Sequence, residues 1–266
     1  MEVIIILIVT GLVLYYLFNL VIEPAYMLLF NKPVFVHFYL ATKRLPESHT
    51  ALLHSGFEFY RNLSARRKRF FQHRVRSFID TYKFVGMGLE VTAEMKLKIA
   101  ATSVMLTFGM RKYLYDVFTT IIIYPEAYQS SKDNAWHKGE FNPAAKAIVF
   151  SWHDFEEGLQ YGNDNLNLGL HEFAHALHFD SLRLRRPGAS ATVYKDMFGK
   201  IMEYISSPQN RERLIAANYF RGYAYTNQYE FLAVLLEYFF ETPREFRQKL
   251  PDLYELVRKM INFREG

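Results

Sequence analysis

The sequence contains no cysteine, which removes disulfide frameworks, thiol nucleophiles, Cys-ligated zinc and iron–sulfur clusters together. Any metal must therefore be held by His, Asp or Glu, and only nine His occur among the 266 residues. Disordered, solvating chains are poor in apolar residues. Here half the residues are hydrophobic and 17% aromatic, so that class is excluded too. The formal charge of +5 is small and unevenly placed. Between Arg61 and Lys83 eight Lys/Arg face one acid, Asp80, which leaves the rest of the chain near −2. The basic balance reports one patch, and no nucleic-acid partner is expected.

Charge is also missing from Val3 to Ile22, a run of twenty residues reading VIIILIVTGLVLYYLFNLVI. A helix of that length spans about 30 Å, the hydrocarbon thickness of a bilayer. A cleaved secretory signal would need a basic n-region, a shorter apolar stretch and a small-residue cleavage site. Only Met1 and Glu2 precede the run, and Tyr15, Tyr16 and Phe18 occupy its end. The run reads as a retained single-pass anchor, with a signal or a buried core helix as the rivals. Lys32, Lys43 and Arg44 follow it and no Lys/Arg precedes it, so the positive-inside rule places the larger part in the cytoplasm. Residues 1–30 are then anchor and flank, 31–60 a juxtamembrane connector, and 61–266 the functional domain. Pro24 and Lys32-Pro33 interrupt Ala25–Leu40, which is expected to be interfacial or loop-like.

Beyond the connector, Phe71, Val75, Phe78 and Tyr82 recur at helical spacing and predict a core stripe. Arg66, Arg67, Lys68, Arg69, Arg74 and Arg76 crowd the same helix. They form a solvated basic face or, alternatively, a patch drawn to an anionic membrane surface. Thr92 to about Lys112 is helical in character. The β-branched run Thr119–Tyr124 and the run Ala147–Trp152 predict strands, separated by a polar loop with Trp136 and His137. A loop holding Gly158 and Gly162 follows, and the last hundred residues read as helices. The expected class is α+β behind an anchor.

The chemistry concentrates in Leu166–Leu177. Asn163 or Asp164 is a suitable N-cap, and Leu166, Leu170, Phe173 and Leu177 form an apolar stripe, so the segment is an amphipathic helix. On another face His171 and His175 sit one turn apart, spaced to meet one tetrahedral zinc. Glu172 beside the first ligand is placed to take a proton from water. A catalytic zinc needs a third protein ligand. A third His ten residues after the first is absent, since position 181 is Ser. His178 lies about 4.5 Å past His175 along the axis and overshoots. Glu230 opens a helix that is apolar nearly all round, where a buried carboxylate needs a cation or several donors. It is the third-ligand candidate, with a capping box to Asn227 as the structural alternative. Glu237 is the runner-up ligand, or else an acceptor for a ligand His N–H. Tyr223 is the candidate donor to a developing oxyanion, with a packing role as the alternative.

These residues resemble the Mlc titration factor A family of zinc-dependent peptidases. The likeness rests on Ile121–Tyr128, Ala147–Asp154, Leu170–Leu177, Tyr223-Ala224 and Glu230–Phe240, in family order over roughly residues 60–260. It implies a zincin-type α+β domain whose active-site helix backs a small sheet. It also implies zinc held by His171, His175 and Glu230, with Glu172 as general base, and a peptidase activity of aminopeptidase-like character on peptide or protein substrates. The founding member also binds a cytoplasmic transcriptional repressor, which adds a regulatory protein partner to the expectations. Two features depart from the family: His178 stands where Asp is common, and the founding member has no N-terminal anchor. The rival from another class is a regulatory binding module on a zincin scaffold with little peptidase activity.

Overall fold

The computed structural model describes residues 1–130, 135–160, 162–183 and 188–264. The polar loop expected between the strands lies partly outside these residues, at 131–134. Among the described residues the chain is α+β, with one four-stranded sheet, one two-stranded ribbon, and helices around them.

The N-terminal helix runs from Glu2 to Phe30, long and apolar enough to cross a membrane, with none of its apolar window buried against the body. It passes through Pro24 without the expected interruption. A π-helical turn at Phe18–Ile22 joins α1 (Glu2–Leu17) to α2 (Glu23–Phe30). A wider turn absorbs the hydrogen bond that proline cannot donate. Asn31 in the left-handed region then ends the helix.

Two short helices, α3 (Glu47–Gly56) and α4 (Glu58–Arg61), lead to α5 (Ala65–Thr81). On α5 the stripe Phe71, Val75 and Phe78 is buried, and Tyr82 beyond its end as well. One residue departs from the solvated face: Arg74 is fully buried. Its guanidinium donates to Tyr39 Oη at 2.6 Å, Thr107 O at 3.0 Å and Phe108 O at 3.2 Å, and lies 4.4 Å from the Tyr113 ring centre. A buried charge persists only when so satisfied.

Strand β1 (Lys83–Gly86) is followed by α6 (Ala93–Thr107), capped by Thr92. Strands β2 (Thr120–Tyr124) and β6 (Ala147–Ser151) bracket β3 (Tyr128–Gln129), β4 (Trp136–His137) and β5 (Gly139–Asn142). The sheet order is β1-β2-β6-β5. The first three strands are parallel, and β5 runs antiparallel to β6 with Gly139 opposite Phe150. Strand β6 is buried along its whole length, as expected for a strand covered on both faces.

The region expected as a loop after Trp152 begins with helix α7 (Trp152–Gln160). Ser151 Oγ accepts Asp154 N–H at 3.3 Å, a serine cap, and Phe155 is buried on the core side. Gly158 is needed there, because a Cβ would stand 2.9 Å from Leu166 O.

Helix α8 (Leu168–Arg183) backs the sheet. Phe173 on it packs with Phe78 of α5, Tyr115 and Phe118 of the segment between α6 and β2, and Phe150 of β6. Helices α9 (Ala189–Ser206), α10 (Pro208–Ala217), α11 (Gln228–Glu241), α12 (Pro243–Lys249) and α13 (Pro251–Met260) complete the domain. On α11, Phe231 to Phe239 are all buried.

Candidate metal centre

Helix α8 starts later than the expected cap positions. Asn167, not Asn163 or Asp164, accepts Leu170 N–H through its side chain at 2.9 Å, while Asp164 closes a turn onto Leu166 N–H. Leu166 accordingly lies outside the helix and is exposed, and the buried stripe is Leu170, Phe173, Ala174 and Leu177. The rotation set by this stripe turns His171 and His175 toward α11.

On α11, Asn227 caps the helix by accepting the N–H groups of Tyr229 and Glu230 at 2.9 and 3.0 Å. The Glu230 carboxylate is thereby left free to face the histidines. His171 Nε2 lies 3.1 Å from His175 Nε2 and 3.1 Å from Glu230 Oε2, and His175 Nε2 lies 3.7 Å from Glu230 Oε2. Glu230 Oε2 is buried and satisfies no hydrogen bond. Three ligand atoms around a tetrahedral zinc at about 2.0–2.2 Å stand roughly 3.4 Å apart. The triangle and its orphaned oxygen fit such an ion.

The charges agree. Burial alone would lower the His171 pKa, but the Glu230 and Glu237 carboxylates outweigh it and hold the imidazole up to about 10. Burial would raise Glu230, yet the two imidazoles hold it far below the usual carboxylate range. A dication bound among these carboxylates and imidazoles would take the place of the proton that His171 otherwise holds.

Glu237 is placed behind His171, not beside Glu230. Its Oε1 lies 2.8 Å from His171 Nδ1, and its Oε2 accepts Asn167 N–H at 3.0 Å. Arg221 donates to both Glu237 oxygens at 2.7 and 3.1 Å, and to Asn165 O. Arg221 and Asn167 escaped the sequence reading. The one local signal was a lone cation two residues before Tyr223.

Glu172 points from α8 to the sheet edge. Its Oε2 accepts Phe141 N–H from β5 at 2.8 Å. Burial pushes its pKa up, against the pull of His171 and His175. Gly139 permits the approach, since a Cβ there would stand 2.9 Å from Glu172 Cγ. Tyr223, in a 3-10 turn at Gly222–Tyr225, is half exposed, its ring 6.1 Å from that of His171. Partial burial and the Glu230 carboxylate push its hydroxyl up to about 12, so it stays a donor. His178 lies apart, its Nδ1 3.2 Å from Tyr194 Oη and its ring against Phe198 and Tyr229. Burial and His175 lower it to about 4.

A second group of possible ligands, His153, Asp154 and Glu157, lies at the start of α7. Its one buried member, Asp154, is already paired with Lys138 at 2.6 Å and Ser151 at 2.5 Å.

A family model described as glucose-regulated metallopeptidase M90 matches residues 36–262. A protein of Synechocystis sp., described as uncharacterized, is 26% identical over 246 residues, which cover 83% of this chain and 85% of that protein.

Proposed function

The chain belongs to the glucose-regulated metallopeptidase M90 family, and on that premise we propose that it is a zinc-dependent peptidase held at a membrane by its N-terminal helix. The observation that carries the reading is the triangle of His171 Nε2, His175 Nε2 and Glu230 Oε2, with edges of 3.1, 3.1 and 3.7 Å and an unsatisfied oxygen.

Zinc in that triangle would polarise a scissile carbonyl and lower the pKa of water. Everything else falls to the chain. Glu237 accepts from His171 Nδ1, which fixes the tautomer and turns the Nε2 lone pair inward. Glu172, whose carboxylate burial makes more basic, takes the proton from the attacking water and delivers it to the leaving amine. Tyr223 donates its hydroxyl to the carbonyl oxygen as negative charge develops there. Phe141 N–H holds one Glu172 oxygen, leaving the other for proton transfer.

The tether is read from the uncharged span, and the cytoplasmic placement of the body from Lys32, Lys43 and Arg44 after it. The test of the metal is elemental analysis of the purified chain. About one zinc per chain is expected, and His171→Ala should lose most of it. Stoichiometric zinc retained in that variant would remove the site.

A further inference from the structure

After Phe30 the chain does not leave the N-terminal helix on a free linker. It reverses at Asn31 and returns alongside the helix, so that the Phe35 ring stacks on Phe18 at 6.1 Å and Phe38 meets Phe35 at 6.2 Å. Phe18 opens the π-helical turn, and Glu23 just after it is the first charged residue beyond Glu2. That is the level at which an apolar span meets water. Phe38 is 72% exposed, and Val34 and Phe35 are exposed beside it.

The returning segment is fastened to the body. Glu23 is buried and receives both Arg111 Nη groups, one of them at 2.9 Å. Arg111 also donates to Phe35 O at 3.0 and 3.1 Å, its guanidinium carbon lies 3.7 Å from the Phe35 ring centre, and its N–H donates to Ser190 Oγ on α9 at 2.8 Å. Farther along, Arg74 holds Tyr39, and His73 Nδ1 accepts Lys43 N–H at 3.0 Å.

We propose that Val34, Phe35 and Phe38 form a second membrane contact, an aromatic wedge seated in the interface of the bilayer that the helix crosses, with Glu23–Arg111 locking the body to it. This rests on the anchor reading above. The occupant follows from continuity: the exposed rings join an apolar surface already committed to lipid, at the depth where aromatic side chains settle. A polar clamp within a few residues of the rings places the body directly against the headgroups. The candidate metal site is then carried at one height and angle over the membrane instead of swinging on a linker.

The absence of cysteine makes the test clean. Single variants Leu12→Cys, Leu29→Cys and Phe38→Cys of the full chain are labelled with an environment-sensitive fluorophore and reconstituted into phosphatidylcholine/phosphatidylglycerol vesicles. Each is quenched in turn by lipid-borne nitroxide and by aqueous iodide. Leu29 is exposed as well, but it lies eleven residues, about 16 Å, past Phe18 along the helix. The expected order of lipid quenching is Leu12, then Phe38, then Leu29, with the Phe38 label blue-shifted and losing most of its iodide quenching on reconstitution. A Phe38 label as open to iodide as the Leu29 label, while Leu12 stays in lipid, overturns the wedge and leaves the anchor standing. A Leu12 label open to iodide overturns the anchor itself.

Discussion

Replacing Arg221 by Met should damage metal binding from a distance, and the size of the damage can be worked out. Glu237 is 1% exposed and Arg221 24%. The variant removes the guanidinium from both Glu237 oxygens while leaving the carboxylate buried. Stripping a partner from a buried pair costs about 3–5 kcal/mol when nothing else remains. Here Glu237 keeps His171 Nδ1 and Asn167 N–H at 2.8 and 3.0 Å, so about 2–3 kcal/mol is expected. For a domain of this size that lowers the melting temperature by roughly 5–10 °C. The loss does not stop at stability. Glu237 aims the His171 ring, and a group that orients a metal ligand is worth about 10–100-fold in metal affinity. Competition against a chromogenic zinc chelator gives the affinity, and thermal unfolding of the metal-free protein gives the stability. A variant that melts early yet binds zinc within about twofold of the native chain would refute the reasoning, because Arg221 would then only support the fold.

Gly139→Ala places a Cβ 2.7 Å from Leu168 Cδ1 and 2.9 Å from Glu172 Cγ. The Leu168 tip can turn away, but Glu172 must move by a few tenths of an ångström. Turnover of a short peptide should fall about tenfold while zinc content, measured on the same sample, stays unchanged. Glu241 is pushed up to about 7 by burial, and its Oε2 is buried without a partner. Its folded value exceeds its unfolded one, so its contribution to stability is full below about pH 4.5 and is lost as pH rises through about 7. Melting temperatures from pH 4 to 8 should therefore show Glu241→Gln gaining on the native chain across that window. Parallel curves would contradict the assignment.

Where a signal is local, the sequence carried it to the structure. The β-branched run ending at Tyr124 is a strand because branched side chains suit a pleated surface, with Ile121 and Ile123 turned into the core. His171, Glu172 and His175 share a helix because Leu170, Phe173 and Leu177 bury its other side. Glu230 stood out as a carboxylate on a helix with no polar face. The signals that failed were those decided by distant groups. The stretch from Asn163 to Asn167 offers several suitable cap residues, and the one used is the one whose backbone N–H reaches Glu237, seventy residues away. Arg74 looks like one of six cations on a basic helix, yet carbonyls of residues 107 and 108 and the Tyr39 hydroxyl enclose it. Gly158 and Gly162 suggested a loop, although Gly158 sits in α7 to admit a crossing strand of chain. Pro24 suggested a break that one π-helical turn absorbs.

In the proposed mechanism Glu172 moves the proton while His171, His175 and Glu230 hold the metal, and one paired measurement separates these roles. Glu172→Gln keeps size and polarity but cannot accept a proton at neutral pH. Cleavage of short peptides and zinc content are measured on the same preparations of the native chain and the variant. Full zinc is expected in Glu172→Gln, with turnover reduced by about 10²–10⁴, the usual worth of a placed general base. Native cleavage that survives the substitution, whatever the metal content, would contradict it.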